Sequence, residues 1–440
     1  MKRVSLAILV LLLVPHGVHA LTMDEAVDMA LDNNPRLQDF RYRTEAQRSR
    51  VDSRKAPFWP EVDATYSYNK ADTTFFFETK EASVFSAEIS YNLFRGFSDL
   101  NTLKSSRSTL DASRYEQKST ETDVVLDVKR AYIRVLRTRK ALEVEGEAVK
   151  LLERQSRDAE KFWRAGLTAK NQFLLVEVSL ASNRQELLQA ETNVRIARAA
   201  LDRAIGVPVG KDTVIEDIAF EKPMDLDEEA LSRAMLASRS ELKFLESQRA
   251  AREFNRDSIR GGYFPVIDLS LTHSRLGESF AFEGLPDPLE NSDTRAMVEA
   301  KWNLFEGWRT KNDILAEESE IRAIMERIRE TRDNLFLQLK TAVEAYRVSA
   351  GRIELAQKGV EQAEENYRIT DNQFRERVAT TTDLLDARFL LSRARDEYNN
   401  AVYNLSLSLA ALERVVEGPV TPGPGGGKPP GNGTGSPGRF

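Results

Sequence analysis

Cysteine is absent from this 440-residue chain. That excludes a disulfide framework, a thiolate zinc site, a cysteine nucleophile and a lipidated N-terminal cysteine. Histidine is scarce: His16, His19 and His273 are the three, and the first two fall in a segment read below as removed. A single remaining histidine makes the mature chain a poor candidate for a histidine metal cluster or proton relay, and no metal and no cofactor is assigned. No surplus of positive charge exists either. The 63 Lys and Arg stand against 69 Asp and Glu, a net −6, which offers nucleic acid no basic footprint. After residue 20 no stretch approaches 18 apolar residues, so no spanning helix is expected in the mature chain. Gly-rich phosphate loops, metal-ligand spacings and nucleophile arrangements are also missing. The chain does not read as an enzyme.

What is present begins with residues 1–20. Lys2 and Arg3 precede an apolar run from Ser5 to Val14, and Val18-His19-Ala20 offers small side chains for cleavage. This is the pattern of a secretory signal peptide. Its removal takes two positive charges and leaves a mature charge of −8. The protein is expected to be exported.

The mature sequence reads twice. Phe58-Trp59-Pro60-Glu61-Val62 answers Tyr263-Phe264-Pro265-Val266-Ile267, and Asn92-Leu93-Phe94-Arg95-Gly96-Phe97 answers Asn303-Leu304-Phe305-Glu306-Gly307-Trp308. The first copy is assigned to residues 21–205, the second to 226–416. Residues 206–225, with Pro208, Gly210 and Pro223, form a connector. Residues 417–440 are a Pro/Gly-rich tail expected to be disordered. Each copy is expected to run helix, two strands, long helix, helix. The strands are placed at 60–69 and 84–94, then 265–273 and 296–305. The long helices are placed at 98–165 and 309–376, the following ones at 168–205 and 380–416, and the leading ones at 23–56 and 226–260.

In the second long helix Ile314, Ile321, Ile328, Leu335 and Ala342 recur at sevens. After one step of four, Tyr346, Ile353, Val360, Tyr367 and Phe374 continue the row. That is a coiled-coil seam with one stutter. In the first copy Leu103, Leu110, Val124, Ala131, Val135, Leu142, Val149 and Trp163 match it, and Gln117 and Ser156 interrupt. At about 1.5 Å per residue such a helix is about 100 Å long. Two shorter helices end to end can pair along it.

The strand segments alternate. Val62, Ala64, Tyr66 and Tyr68 oppose Glu61, Asp63, Thr65, Ser67 and Asn69, and the other three segments follow the same rule. Alternation of this length suits a soluble half-buried hairpin and a transmembrane barrel strand equally. Export without a helical anchor, and the want of any other apolar surface for the strands to pack on, favour the barrel. Trp59, Trp302 and Trp308, with Phe94, cluster at the strand ends nearest the helices, as at a membrane interface. Four strands cannot close a barrel, and an open edge cannot sit in lipid. A spanning chain must therefore oligomerise.

With these motifs in place the chain resembles the outer-membrane efflux proteins of the TolC family over about residues 21–416. The resemblance rests on Leu21-Thr22-Met23-Asp24-Glu25-Ala26 with Asn33-Asn34-Pro35, on the duplicated Asn-Leu-Phe-x-Gly segment, and on Thr382-Asp383-Leu384-Leu385-Asp386-Ala387. It implies a mainly helical fold with a small β part. Long coiled-coil hairpins would form a periplasmic tunnel, and a homotrimer would share one twelve-stranded transmembrane β-barrel. It implies an exit duct of a tripartite efflux or type I secretion system, partnered by a periplasmic adaptor, an inner-membrane pump and outer-membrane lipid. The hairpin turns become adaptor contacts: Gly166 and Leu167 in the first, Arg377 and Val378 in the second. Gly166 suits a left-handed helix end and Thr168 a following cap, whereas Arg377 stands where glycine is expected. Asp383 and Asp386 match the family's entrance aspartates, although acidic residues in a first helical turn are also favoured by the helix dipole. The family's tyrosine falls on Phe374, its arginine on Ala379, and its first-copy aspartate and threonine on Gln172 and Asn171. A closed entrance must then be held by other contacts. Two alternatives share the export signal and the long helices: a periplasmic adaptor, which should carry one hairpin between Gly-rich β domains, and a structural coiled coil, which leaves the four strands unexplained.

Overall fold

The structure is a computed structural model that describes residues 20–72, 81–210, 213–219, 222–277, 280 and 292–420. The expected signal peptide up to residue 19, and residues 421–440 of the expected tail, lie outside the described residues. The chain divides into two units, residues 39–119 with 239–334, and the remainder.

The first of these carries the sheet. Its strands are β1 (Glu61–Lys70), β2 (Glu81–Arg95), β3 (Val266–Gly277) and β4 (Ser292–Lys301), antiparallel in the order β1-β2-β3-β4. Neither β1 nor β4 has a second neighbour among the described residues. The expected strand 296–305 is corrected to Ser292–Lys301. Lys301 pairs with Val266, and the residue before Val266 is Pro265, which has no N–H to continue the ladder. Trp302, Leu304 and Phe305 therefore follow the strand rather than belong to it.

Gly96 and Phe97 (φ +58° and +63°), like Gly307 and Trp308 (+67° and +66°), turn each hairpin into the long helix that follows. These helices are α3 (Ser98–Arg164) and α7 (Arg309–Arg375). At Gly96 a Cβ would lie 2.3 Å from the Gly261 carbonyl oxygen, so both backbone conformation and space require glycine there. Small hydroxyls let α3 approach α6 (Ser240–Arg260): Ser98 and Thr102 lie 2.7 and 2.9 Å from the Ser258 hydroxyl, and Ser105 donates to the Ala251 carbonyl. Val51, Leu103 and Leu110 form the apolar centre of this region.

Among its described residues the other unit is built of helices, with one isolated β-bridge between Leu21 and Ile215. The leading helices, expected as 23–56 and 226–260, are each broken in two. α1 (Met23–Asn33) stops before Pro35, and α2 (Pro35–Ser53) starts on it. The residue before a proline is driven out of the helical region, and Asn34 sits at ψ 121°. In the second copy α5 (Glu228–Ser238) and α6 break at Arg239, ψ 114°, with no proline to announce it. The two breaks do one job. Asn34 donates its amide to the Ala204 carbonyl at the end of α4 (Lys170–Ile205), and Ser238 donates to the Val416 carbonyl at the end of α8 (Thr381–Val416). Each leading helix thus satisfies an orphan carbonyl at its own copy's last helix end.

Residues 206–225 are more than a connector. Ile215 is 2% exposed and bridges to Leu21. The buried Tyr132 hydroxyl lies 2.8 Å from the Leu21 carbonyl and 2.7 Å from that of Glu216. Around them pack Ala26, Val128, Leu136, Ala197, Leu201 and Ile205, each large aliphatic worth about 1.5–3 kcal/mol when fully buried. The seam of α7 faces inward throughout: Leu335, Tyr346 and Ile353 are buried, and Ile328, Ala342, Val360, Tyr367 and Phe374 half-buried.

Candidate functional site

The sheet has two faces of opposite character. Cross-strand register aligns Val62, Ile89, Leu271 and Ala296 in one row, with Tyr91, Leu269 and Val298 in the next toward the helices. These side chains lie on solvent in the single chain; Val62 is 70% and Val298 66% exposed. The opposite face carries Glu61, Asp63, Glu88, Asp268, Asp293 and Glu299 against Arg95, Arg295 and Lys301. Asn92 donates to Asp268 across it at 2.9 Å. The ladder shifts by one residue between Asn92 and Phe94. Simple alternation would put Phe94 on the polar face; this bulge at Leu93 brings it beside Ile267 on the apolar one.

Aromatic side chains gather at the end of the sheet nearest the helices. Trp59, Trp302 and Trp308 are exposed, and the Trp302 indole donates to the Tyr263 carbonyl at 3.1 Å. Phe94 packs edge-on against Phe97 and Phe264, and Phe305 against Trp308. A second aromatic group, not foreseen from the sequence, occupies the far end. Phe280, from the β3–β4 connection, meets Tyr66 and Tyr68 edge-on at 5.8 and 5.5 Å, and the Tyr66 hydroxyl donates to its carbonyl. The strand pattern held Tyr66 and Tyr68, but a loop phenylalanine gives no periodic signal.

The two hairpin turns share one geometry. Gly166 (φ +70°) and Arg377 (φ +64°) hold the same left-handed position. Leu167 donates its N–H to the Phe162 carbonyl, and Val378 to that of Gln373, both at 2.8 Å. Arginine in place of glycine therefore preserves the turn instead of abolishing it. Leu167 is 47% and Val378 76% exposed. Thr168 does not cap: α4 begins at Lys170 with Ala169 at the cap and no side-chain bond, since alanine has no oxygen to offer. Its counterpart Thr380 does cap α8. The Asp383 carboxylate accepts from the Thr380 N–H and hydroxyl at 2.8 and 2.7 Å, and these bonds hold its pKa below the ordinary value. Asp386 is exposed one turn on.

Contacts between the two hairpins run upward from these turns. Phe162 meets Phe374 edge-on at 6.5 Å, and the Arg377 guanidinium lies over the Phe162 ring. Within the first hairpin, Trp163 of α3 stacks on Phe173 of α4 at 5.6 Å. Further along, buried Arg388 donates to Asn183 at 3.0 Å, and Arg395 bridges Glu147 and Glu364. Around Arg388 stand Glu145, Glu186 and Asp396; burial raises the pKa of Glu145 and Asp396 and lowers that of Arg388. Gln172, Asn171 and Ala379 enter none of these inter-hairpin bonds.

Among the described residues no helix is long and apolar enough to cross a membrane. The apolar rows of the sheet are the surface left uncovered in the single chain.

Comparison with known proteins agrees. The family described as "Outer membrane efflux protein" matches residues 26–207 and 231–417, one block per copy. The chain is 22% identical over 408 residues to outer membrane protein TolC of Vibrio cholerae, covering 91% of each. It is 24% identical over 309 residues to protein CyaE of Bordetella pertussis, covering 69% of this chain and 64% of CyaE. Among solved structures, the CmeC outer membrane channel of Campylobacter jejuni superposes with a TM-score of 0.80 at 15% identity, covering 90% of this chain and 86% of CmeC. Outer membrane protein VceC of Vibrio cholerae superposes at 0.75 and 16%, covering 90% and 96%. At such identities the superpositions speak for the fold alone. The family assignment rests on the two matched blocks, and channels of this family form trimers in the bacterial outer membrane with a periplasmic helical tunnel. The chain belongs to the outer membrane efflux proteins, the TolC family, and is a transport channel rather than an enzyme.

Proposed function

We propose that three copies of this chain close one twelve-stranded barrel and serve as the exit duct of a tripartite efflux or type I secretion system. The observation that carries the reading is the four-stranded sheet with two opposite faces, whose edges β1 and β4 are unpaired among the described residues. Unpaired backbone groups cannot face hydrocarbon. Edge β1 of one copy must therefore pair with edge β4 of the next until the ring closes. The apolar face then meets lipid and the polar face lines a wet lumen. Six acids against three bases on that face, in each of three chains, favour cations in transit.

The turns at Gly166-Leu167 and Arg377-Val378 are the surfaces offered to a periplasmic adaptor, which links the duct to an inner-membrane pump. Exposed Leu167 and Val378 supply the apolar contact. Asp383 and Asp386 from three chains form two carboxylate rings at the entrance. The inter-hairpin contacts of Phe162, Phe374, Arg377, Arg388 and Arg395 are what hold that entrance shut, in the absence of the tyrosine and arginine used elsewhere in the family.

The test is the mass of the protein extracted from outer membranes, corrected for bound detergent. Three chains per particle, released only by detergent, is the expected result. A monomer or dimer in the periplasmic fraction would overturn the reading.

A further inference from the structure

The apolar face of the sheet is uneven, and the unevenness is chemical. On β1 and β2 the next two rows beyond Val62 and Ile89 stay apolar, Ala64 beside Ala87 and Tyr66 beside Phe85, and only past Tyr68 and Ser83 does the Lys70–Glu81 ion pair follow. On β3 and β4 the same two rows turn polar. His273 stands beside Thr294, and Arg275 beside Ser292. Residues two apart on a strand share a face, so Arg275 and His273 point where Leu269 and Leu271 point. The result is a polar notch level with the aliphatic and aromatic side chains of β1 and β2.

Within the notch the groups differ in how they are satisfied. The His273 Nδ1 lies 2.8 Å from the Thr294 hydroxyl. Lys70, the other cation of this face, is neutralised by Glu81 at 2.6 Å. Arg275 is exposed, and among the described residues no carboxylate pairs with it. Its level is informative. Its row contains Tyr66, whose ring and hydroxyl engage Phe280 in the far aromatic group. Aromatic groups of this kind sit at headgroup depth. An unpaired arginine there is not stranded in hydrocarbon, where it is strongly disfavoured at mid-depth and tolerated near an interface. It is placed to meet a headgroup.

We propose that Arg275 seats the phosphate of an anionic lipid headgroup in the leaflet far from the helices, with Ser292 and the His273–Thr294 pair forming the polar floor of the seat. The charge is complementary, and a guanidinium can present two parallel N–H groups to a phosphate. Three such seats alternate around the barrel with three sectors, from β1 and β2, that are apolar at the level of Ala64–Ala87 and Tyr66–Phe85. The proposal rests on the channel reading above, because it needs this face in a bilayer.

The full-length protein, in nonionic detergent, is titrated with bisphosphorylated lipid A and, separately, with the same lipid freed of phosphate; native mass spectrometry counts the bound lipids. Wild type is expected to hold up to three phosphorylated lipids per trimer. Arg275→Gln should bind them at least about fivefold more weakly, with Arg275→Lys between the two, and the phosphate-free lipid should not distinguish the proteins. Equal binding of the phosphorylated lipid by wild type and Arg275→Gln would overturn the proposal. So would Arg275-dependent binding of inorganic phosphate alone, which would point to an anion site instead of a lipid seat. Failure of the channel reading shows itself differently, as protein recovered without detergent. Arg275 is exposed, so an unchanged trimer mass in each variant confirms that the comparison is between folded proteins.

Discussion

The guanidinium carbon of Arg377 lies 6.0 Å from the centroid of the Phe162 ring, so the second hairpin's turn reaches across to the first. Arg377 makes this contact from a left-handed backbone conformation, φ +64°, that costs a non-glycine residue about 1–2 kcal/mol. A cation–π contact at an exposed site returns about 0.5–1 kcal/mol. The two terms nearly offset. Arg377→Gly should therefore leave thermal stability within about 2 °C of wild type while removing a bridge between the hairpins. The prediction is a higher single-channel conductance in planar bilayers, at least twofold, with Phe162→Ala acting in the same direction. An unchanged conductance in both variants would show that these contacts do not hold the entrance.

Asp383 and Asp386 separate structural from electrostatic roles. Asp383 closes the capping box with Thr380 from the N3 position, and its removal leaves the Thr380 N–H without its side-chain acceptor. Asp386 has no such duty. Asp383→Ala should lower the melting temperature, and Asp386→Ala should not. The double variant should lower cation preference, read as a reversal potential across a salt gradient, and an unchanged selectivity would sink the ring assignment. The Asp383 pKa is depressed by its bonds to Thr380. Its stabilising contribution is therefore present above the unfolded carboxylate value and lost as pH falls through the depressed one. Cation preference should persist to correspondingly low pH.

Glu145 and Asp396 have the opposite sign. Burial raises both above their ordinary values. A carboxyl with a raised pKa in the folded state favours folding most below its unfolded value, and the benefit is lost as pH rises through the raised one. Glu145→Gln should accordingly raise the melting temperature at pH 7.5, by about 1–2 °C, and flatten its fall between pH 5 and pH 7.5. A variant that melts lower than wild type at pH 7.5 would mean that the Glu145 charge is needed beside Arg388.

The four tryptophans divide three to one. Trp59, Trp302 and Trp308 border the sheet, while Trp163 stacks on Phe173 at a hairpin turn. In single-tryptophan variants reconstituted with brominated lipid, the first three should be quenched and Trp163 should keep its fluorescence. Quenching of Trp163, or none at Trp302, would contradict the bilayer placement.

Much of this was legible in the sequence because it rests on local period and on repetition. The sevens of α7 placed its seam, and Leu335, Tyr346 and Ile353 are buried where the row predicts. The alternation of β1–β4 separated the two faces, since successive strand side chains point to opposite sides. The Asn-Leu-Phe-x-Gly segment marked the strand-to-helix turns because consecutive left-handed residues call for glycine at one of them. Pro35 announces the break between α1 and α2, although the helical composition around it suggested one continuous helix.

Only the tertiary structure decided the rest, and in each case the deciding group lies far away in sequence. The break at Arg239 has no local signal. It is explained by Ser238 meeting the Val416 carbonyl 178 residues on. The end of β4 at Lys301 depends on Pro265 just before its partner strand, and the turn of Phe94 onto the apolar face depends on a bulge in the ladder with β3. Arg377 kept the turn that its side chain disfavours because the backbone bonds from Val378 and Arg377 to Gln373 and Phe374 were still available. The far aromatic group and the polar notch at Arg275 exist only once β1, β2, β3 and β4 lie side by side. Periodicity fixes which way a side chain points within its own element; which neighbours it meets there is set by register, and register is a property of the assembled sheet.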